Sequence, residues 1–377
     1  MASITKTTTS TGQVRCRVRY RTPENRDREK WFDRRVDADR FRTSVEHQKL
    51  TGAYVDPTAG QVTLQAYAEA WREVQVHRPS TAVQVTTNLT RHVYPHLGNR
   101  PIGAVRTSEI QAWVKARSQE LAPATVEVIY RYLSSIFRAA VVDRVITASP
   151  CVGVKLPKRE RKLVEPITVE QVQGLAAGLP ERYRALVKLA AGSGLRQGEA
   201  FGLTVDRVDF LRRSITVDRQ LVLNGHGTPR FGPPKTEASY RTVPVPALVT
   251  DALSAHLATY EAGDDGLIFS NDDGGPIRRT RFSEAWRPVA KSVGLESGVG
   301  MHALRHWYAS ALIRHGESVK VVQSRLGHAS ASETLDTYSH LWPDSEDRTR
   351  SAVELALGGA GVGLAPPEAK FPQVRGL

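Results

Sequence analysis

The sequence predicts a multidomain α+β protein, and three observations point there. Residues 14–21 alternate strictly between apolar and basic side chains, residues 64–137 repeat apolar side chains at helical spacing, and from residue 168 helical stretches are interrupted by short strand-like segments. A chain of 377 residues holds several domains at roughly 100–200 residues each. The expected layout is a small N-terminal sheet-plus-helix domain at 1–60, a four-helix domain at 61–154, a basic linker at 155–164, a mainly α domain with a small antiparallel sheet at 165–347, and a tail at 348–377.

Residues 1–12 are polar and rich in Thr and Ser, so they are expected to order only on binding. From Gln13, the side chains of Val14, Cys16, Val18 and Tyr20 fall on one side of a strand and those of Arg15, Arg17, Arg19 and Arg21 on the other. A turn at Pro23-Glu24-Asn25 leads to a second strand, Lys30 to Val36, with Trp31 placed to pack or stack. Asp37 then reads as the N-cap of a helix carrying Phe41, Val45 and Leu50 and ending near Gly52. Four like charges on a bare face repel one another. Either they contact DNA, as small sheets do in the major groove, or they guard an edge strand against aggregation. DNA contact is the favoured reading.

Tyr54 to Gly60 reads as a linker. Leu64, Tyr67, Ala68 and Trp71 then share one helical face, and a second helix from about Ser80 to Tyr94 carries Val83, Leu89 and Val93 before Pro95, Gly98 and Pro101 break the pattern. Thr107 is placed to cap a third helix with Ile110 and Val114. Pro123 opens a fourth, with a broad stripe of Val126, Ile129, Tyr130, Leu133, Ile136 and Phe137. The run Lys155 to Lys162 contains Lys155, Lys158, Arg159, Arg161 and Lys162 without apolar periodicity. It is either a tether that crosses phosphates or an ordinary charged linker.

The balance of 52 Lys+Arg against 39 Asp+Glu leaves a formal charge of +13, which favours a polyanionic partner, most simply nucleic acid. Cys16 and Cys151 form no C-x-x-C pattern, so neither a zinc site nor a disulfide framework is expected, and a reducing compartment is. The N-terminus lacks an apolar signal core and no run of about 18 apolar residues occurs. The expectation is a protein that is neither exported nor membrane-bound and acts in the cytoplasm.

In the last large domain, Thr168-Val169-Glu170-Gln171 has capping-box spacing. The glycines of Gly192-Ser193-Gly194-Leu195-Arg196-Gln197-Gly198-Glu199 allow a tight turn that presents Arg196 at a helix start, with Glu199 three residues on. Strands at Ser214 to Leu223 and Arg241 to Val245 are joined through Asn224-Gly225 and a second turn, Gly232 to Thr236, which places Lys235 on its edge. A helix at Asp251 to Tyr260 and a loop at Gly263 to Gly275 precede the densest stretch, which runs from Met301-His302-Ala303-Leu304-Arg305-His306 through Leu326-Gly327-His328 to Thr337-Tyr338-Ser339-His340. Arginine offers a fixed fork of donors to phosphate oxygens, imidazoles exchange protons near neutrality, and a tyrosine hydroxyl can act as a nucleophile.

Taken in order, Gly194-Leu195-Arg196-Gln197-Gly198-Glu199, the segment Lys235 to Pro244, His302-Ala303-Leu304-Arg305, Leu326-Gly327-His328 and Tyr338-Ser339-His340 resemble the signature of tyrosine recombinases of the phage integrase type. Each piece is modest alone, but all of them in the right order are highly specific. The three-part layout is also similar to integrases that bind two kinds of site. On that likeness, domain 1–60 binds arm-type DNA and domain 61–154 the crossover core. The resemblance implies a tyrosine recombinase fold and a site made of Arg196, Lys235, His302, Arg305, His328 and Tyr338.

In that scheme Arg196 and Arg305 clamp nonbridging oxygens and Tyr338 attacks phosphorus to form a 3′-phosphotyrosine link. Lys235 protonates the leaving 5′ oxygen, His302 assists proton transfer to or from the tyrosine, His328 hydrogen-bonds the phosphate, and Glu199 steadies the site. No cofactor and no metal are needed. The resemblance also implies double-stranded attachment DNA as partner, a homotetramer on that DNA, an excision factor and a host DNA-bending protein. The tail after 347 either docks on a neighbouring protomer through Val353, Leu355 and Leu357 or is disordered. The competing functions are a DNA-relaxing enzyme of the type IB topoisomerase kind and a non-catalytic DNA-binding regulator.

Overall fold

The computed structural model describes residues 2–8, 13–22, 25, 27–51, 54–56, 58–159, 163–223, 227–342 and 346–358. It forms two compact units, Met1–Arg161 with Leu223–Gly227, and Lys162–Val222 with Thr228–Leu377. Arg161, Lys162, the Asn224-Gly225 turn, Pro23-Glu24, Gly52 and the tail beyond 358 lie outside the described residues.

The first unit opens with an antiparallel sheet of β1 (Ser3–Thr8), β2 (Val14–Arg21) and β3 (Asp27–Phe32), with β2 central and α1 (Arg35–Leu50) on one side. Residues 3–8 are therefore a strand, where disorder was expected. Composition misleads here because the β-branched threonines suit a pleated edge and Ile4 stands opposite Val18, over the core of Cys16, Val18, Tyr20, Ala38 and Val45. The helix begins earlier than expected, at Arg35, and Asp37 lies inside its first turn, accepting from Arg34 Nε at 2.9 Å. The expected linker is also built in. Tyr54 is buried edge-on to Tyr20, and Asp56 accepts from Arg28 Nη2 at 2.8 Å and from the Thr58 N–H at 2.8 Å.

Next come α2 (Leu64–Glu73), α3 (Pro79–Asn88), a π-helical segment at Leu89–Gly98, α4 (Thr107–Ser118) and α5 (Pro123–Val142) around one apolar core. Pro95 was expected to end the second helix, yet the chain coils on to Gly98. The wider i→i+5 turns accommodate a residue that has no N–H to give. Val83, expected on the buried face, is exposed. Helix α4 is capped at Arg106, one residue before Thr107, with the Glu109 carboxylate accepting from the Arg106 N–H at 3.0 Å.

The second unit begins with α6 (Val169–Gly178), where the Thr168–Gln171 capping box forms as the spacing predicts. Helices α7 (Glu181–Ser193) and α8 (Gln197–Phe201) follow, then β4 (Val208–Asp209), β5 (Ser214–Val217), β6 (Gln220–Val222), β7 (Arg230–Gly232) and β8 (Arg241–Pro244). The long strand expected from Ser214 is split between two sheets, β4-β5-β8 and the hairpin β6-β7. Helix α9 (Ala247–Thr259) leads to α10 (Arg279–Ser292), a helix beyond those expected, with Phe282, Trp286 and Ala290 buried at helical spacing. Helices α11 (His302–Arg314), α12 (Val319–Leu326), α13 (Ala331–Tyr338) and α14 (Glu346–Gly358) complete the unit. Among the described residues no helix is long and apolar enough to cross a membrane.

Candidate active site

Helix α7 ends because Gly194 turns into the left-handed region at φ 64. A side chain there is also excluded by space, since an added Cβ would lie 2.4 Å from the Tyr308 ring. The turn puts Arg196 at the N-cap of α8, and the Glu199 carboxylate reaches back to the Arg196 N–H at 2.9 Å and to Nη1 at 3.0 Å. Nη1 also donates to Ser239 Oγ at 3.0 Å, and Nη2 donates to the Gly327 carbonyl at 2.8 Å. Arg305, one turn into α11 and 2% exposed, donates through Nη1 to the Gly194 carbonyl and through Nη2 to the Leu326 carbonyl, both at 2.6 Å. The two guanidiniums are thus anchored to consecutive carbonyls, 326 and 327, at the end of α12.

Glu199 is 3% exposed and is shared with a residue that the sequence reading did not single out. Arg241 Nη2 and Nη1 donate to its two oxygens at 2.8 and 3.2 Å, while Arg241 Nε donates to the Arg325 carbonyl at 2.8 Å. Burial pushes the Glu199 carboxyl up, but the hydrogen bonds and charge of Arg241, then those of Arg196, hold it below its ordinary value. One carboxylate among Arg196, Arg241 and Arg305 leaves the cluster positively charged. Burial and then Arg196 lower the Arg305 guanidinium to about 9. A cluster under that pressure favours an anion.

Tyr338 closes α13 and is 1% exposed. Its hydroxyl lies 2.7 Å from His306 Nδ1. His306 was in view in the sequence but was given no role, and its signal was its place one helical turn beyond His302. The His302 ring instead meets His306 edge-on at 4.7 Å and is exposed at the helix start. His328 lies parallel to the Tyr338 ring at 6.5 Å, with Nδ1 2.8 Å from Thr334 Oγ1. The surrounding protein and then Arg305 lower His328 to about 3 and His302 to about 4, so both rings are neutral at neutral pH. Burial raises Tyr338 to about 12, although the Arg305 charge pulls the other way.

Lys235 is exposed on the loop after β7 and is not packed into this cluster. Its neighbour Thr236 is, through a 2.9 Å hydrogen bond between Thr236 Oγ1 and Ser239 Oγ. The structure therefore gathers Arg196, Glu199, His302, Arg305, His328 and Tyr338, and leaves Lys235 at the rim. Among the described residues no group of three or more His, Cys, Asp or Glu could hold a metal ion.

The basic residues singled out in the first unit behave differently. Arg15, Arg17, Arg19 and Arg21 do share one face of β2, but each meets a carboxylate of β3 or the residue just after it. Arg15 pairs with Asp33 at 2.7 Å, Arg21 with Asp27 at 3.0 Å, and Arg17 and Arg19 both with Glu29 at 3.7 and 3.6 Å. Arg17 also lies over Trp31, 5.4 Å from the ring centre. The mutual repulsion expected of this face is thus largely neutralised. Lys155 is held by its backbone, which exchanges two hydrogen bonds with Gln111. Lys158 is exposed, and Arg159 pairs with Glu127 at 3.3 Å.

The sequence matches the phage integrase family over residues 165–344 and the phage integrase central domain over residues 64–155. It is 26% identical over 295 residues to a XerC-like tyrosine recombinase of Caldanaerobacter subterraneus subsp. tengcongensis, covering 71% of this chain and 75% of that one. It is 24% identical over 342 residues to the integrase of Mycobacterium phage FRAT1, covering 88% of this chain and 98% of that one. Two solved structures share the fold. One is the Tn1549 transposon integrase in complex with transposon right end DNA, with TM-score 0.67, 22% identity and coverage of 78% of this chain and 100% of that one. The other is a lambda integrase dimer bound to a COC′ core site, with TM-score 0.59, 18% identity and coverage of 90% and 95%.

Proposed function

This chain belongs to the phage integrase family and is a site-specific tyrosine recombinase that cuts and rejoins DNA, and from that premise we propose how its own residues carry the reaction. Arg196 and Arg305 hold the nonbridging oxygens of one backbone phosphate, where negative charge builds as a fifth ligand approaches phosphorus. The Tyr338 oxygen attacks, a 3′-phosphotyrosine bond forms, and the bond from phosphorus to the 5′ oxygen breaks. Lys235, at the rim on an exposed loop, reaches in to protonate that oxygen. His302 and His328 present neutral N–H donors to the phosphate. Glu199 and Arg241 hold Arg196 in place without touching DNA.

The observation that supports this most is the anchoring of both guanidiniums to the carbonyls of residues 326 and 327, beside the ring of Tyr338. Because the covalent link keeps the energy of the broken bond, the 5′ hydroxyl of another strand reverses the step. Residues 1–60 take arm-type sites and 61–154 the core, with 155–164 as tether and the tail docking on a neighbouring protomer. The protein acts as a tetramer on DNA, in a bacterial cell, integrating and excising a phage or mobile element with an excision factor and a host bending protein. A nicked suicide duplex carrying the attachment core, incubated with the protein and run on a denaturing gel, tests the chemistry. A covalent adduct is expected, and Tyr338→Phe abolishes it. An adduct that survives Tyr338→Phe shows another nucleophile.

A further inference from the structure

We infer that His306 is the residue that takes the proton from Tyr338 as it attacks, an assignment that rests on the recombinase reading above. Its Nδ1 is 2.7 Å from the phenol oxygen. Neither of the other imidazoles offers a nitrogen there. His302 meets the edge of His306 at a ring distance of 4.7 Å, and His328 lies parallel to the phenol at 6.5 Å with its Nδ1 engaged by Thr334. His306 also follows Arg305 directly on α11. The Arg305 charge acts on both His306 and the Tyr338 hydroxyl, so a phosphate gripped by Arg305 is held near the pair.

In the forward step the Tyr338 oxygen bonds to phosphorus, the phenolic proton passes to His306 Nδ1, the bond from phosphorus to the 5′ oxygen breaks, and Lys235 gives that oxygen a proton. Rejoining reverses both transfers, since His306 returns its proton to the departing phenolate and Lys235 takes one from the incoming 5′ hydroxyl. The groups facing His306 are His302 and Arg305 from its own helix, Tyr338 from α13 and His328 from the turn before it. Burial, then His302 and Arg305, lower His306 to about 4, so it is an unprotonated acceptor at neutral pH. Tyr338, raised to about 12 by burial, does not ionise there unaided. A phosphate bound to Arg305 offsets the positive charge around the ring and lets it accept the proton.

The test is single-turnover adduct formation on a suicide duplex carrying the attachment core read from the element's junctions. Two versions are used, one with the ordinary scissile phosphate and one with sulfur in place of the bridging 5′ oxygen, a leaving group that needs no proton. Gel-shift binding of the same duplex normalises each variant to folded protein. His306→Gln is expected to slow adduct formation about 100-fold or more on both duplexes, and to make the rate climb with pH above about 7 as hydroxide replaces the lost acceptor. Imidazole in solution restores part of the rate to His306→Ala, and sulfur restores Lys235→Ala only. A His306→Gln rate within about threefold of the unsubstituted protein overturns the assignment. So does recovery of His306→Gln on the sulfur duplex, which would place the residue on the leaving-group side. Should the unsubstituted protein itself form no adduct on either duplex, the recombinase reading fails instead.

Discussion

Two groups of arginines in this protein do different work with the same functional group. Arg15, Arg17, Arg19 and Arg21 stand on an open face of β2 against carboxylates from β3 and Asp33, at distances up to 3.7 Å. Arg196 and Arg305 donate to main-chain carbonyls of residues 194, 326 and 327 at 2.6 to 2.8 Å. The first group has partners that water and salt replace at little cost. The second has backbone partners fixed by the ends of two helices, α7 and α12, so each guanidinium keeps its orientation. A charge held by backbone is aimed, and a charge held by another side chain can be traded for a phosphate.

The sharpest way to break this contrast is Arg305→Lys. An ammonium cannot span the Gly194 and Leu326 carbonyls, so adduct formation on the suicide duplex should fall about 1000-fold while duplex binding largely survives. Near-normal cleavage would mean that the buried fork has no part in orientation. Arg196→Lys keeps the charge but loses the simultaneous reach to Glu199, Ser239 and Gly327, and a fall of about 100-fold is expected in the same assay.

Glu199→Gln probes the scaffold behind the arginines. It leaves Arg241 buried without its counter-charge, and chemical denaturation should show a loss of about 3–5 kcal/mol. The pH dependence carries a sign. The folded carboxyl lies below its ordinary value, so its contribution is fully present above about pH 4.5 and is lost as pH falls through the lower folded value. The unsubstituted protein should lose stability there faster than the Gln variant, and parallel acid-unfolding curves would contradict the pairing.

The smallest effects belong to the sheet. Replacing any one of Arg15, Arg17, Arg19 or Arg21 with Gln should leave the unfolding midpoint nearly unchanged. If the face meets arm-type DNA, each loss also flattens the salt dependence of binding by about 0.9 in log–log slope. Unchanged slopes in all four would assign the arginines to strand pairing alone.

Much of this was legible from spacing. The β2 alternation, the stripe on α5, the Thr168 capping box and the Gly194-to-Glu199 turn all follow from local periodicity and glycine chemistry, which do not depend on distant neighbours. What escaped depends on tertiary context. Residues 3–8 form a strand because β2 offers them a free edge, which their polar composition does not reveal. Arg241 lies inside a signature segment and His306 directly after one. Arg241 matters because β8 brings it to Glu199 across a separation of 42 residues, and His306 because α13 returns Tyr338 to α11 across 32 residues. Helix α10 is the exception. Its apolar spacing, Phe282, Trp286 and Ala290, is local and readable in the sequence.

The carbonyls of residues 326 and 327 exist only once the ribosome has made nearly the whole second unit. Until α12 is synthesised and packed, Arg196 keeps Glu199 and Ser239 and Arg305 keeps the Gly194 carbonyl, but each lacks its second anchor, and the tyrosine comes later still. A chain that stops before α12 therefore has neither the full set of carbonyls that orient the two guanidiniums nor Tyr338.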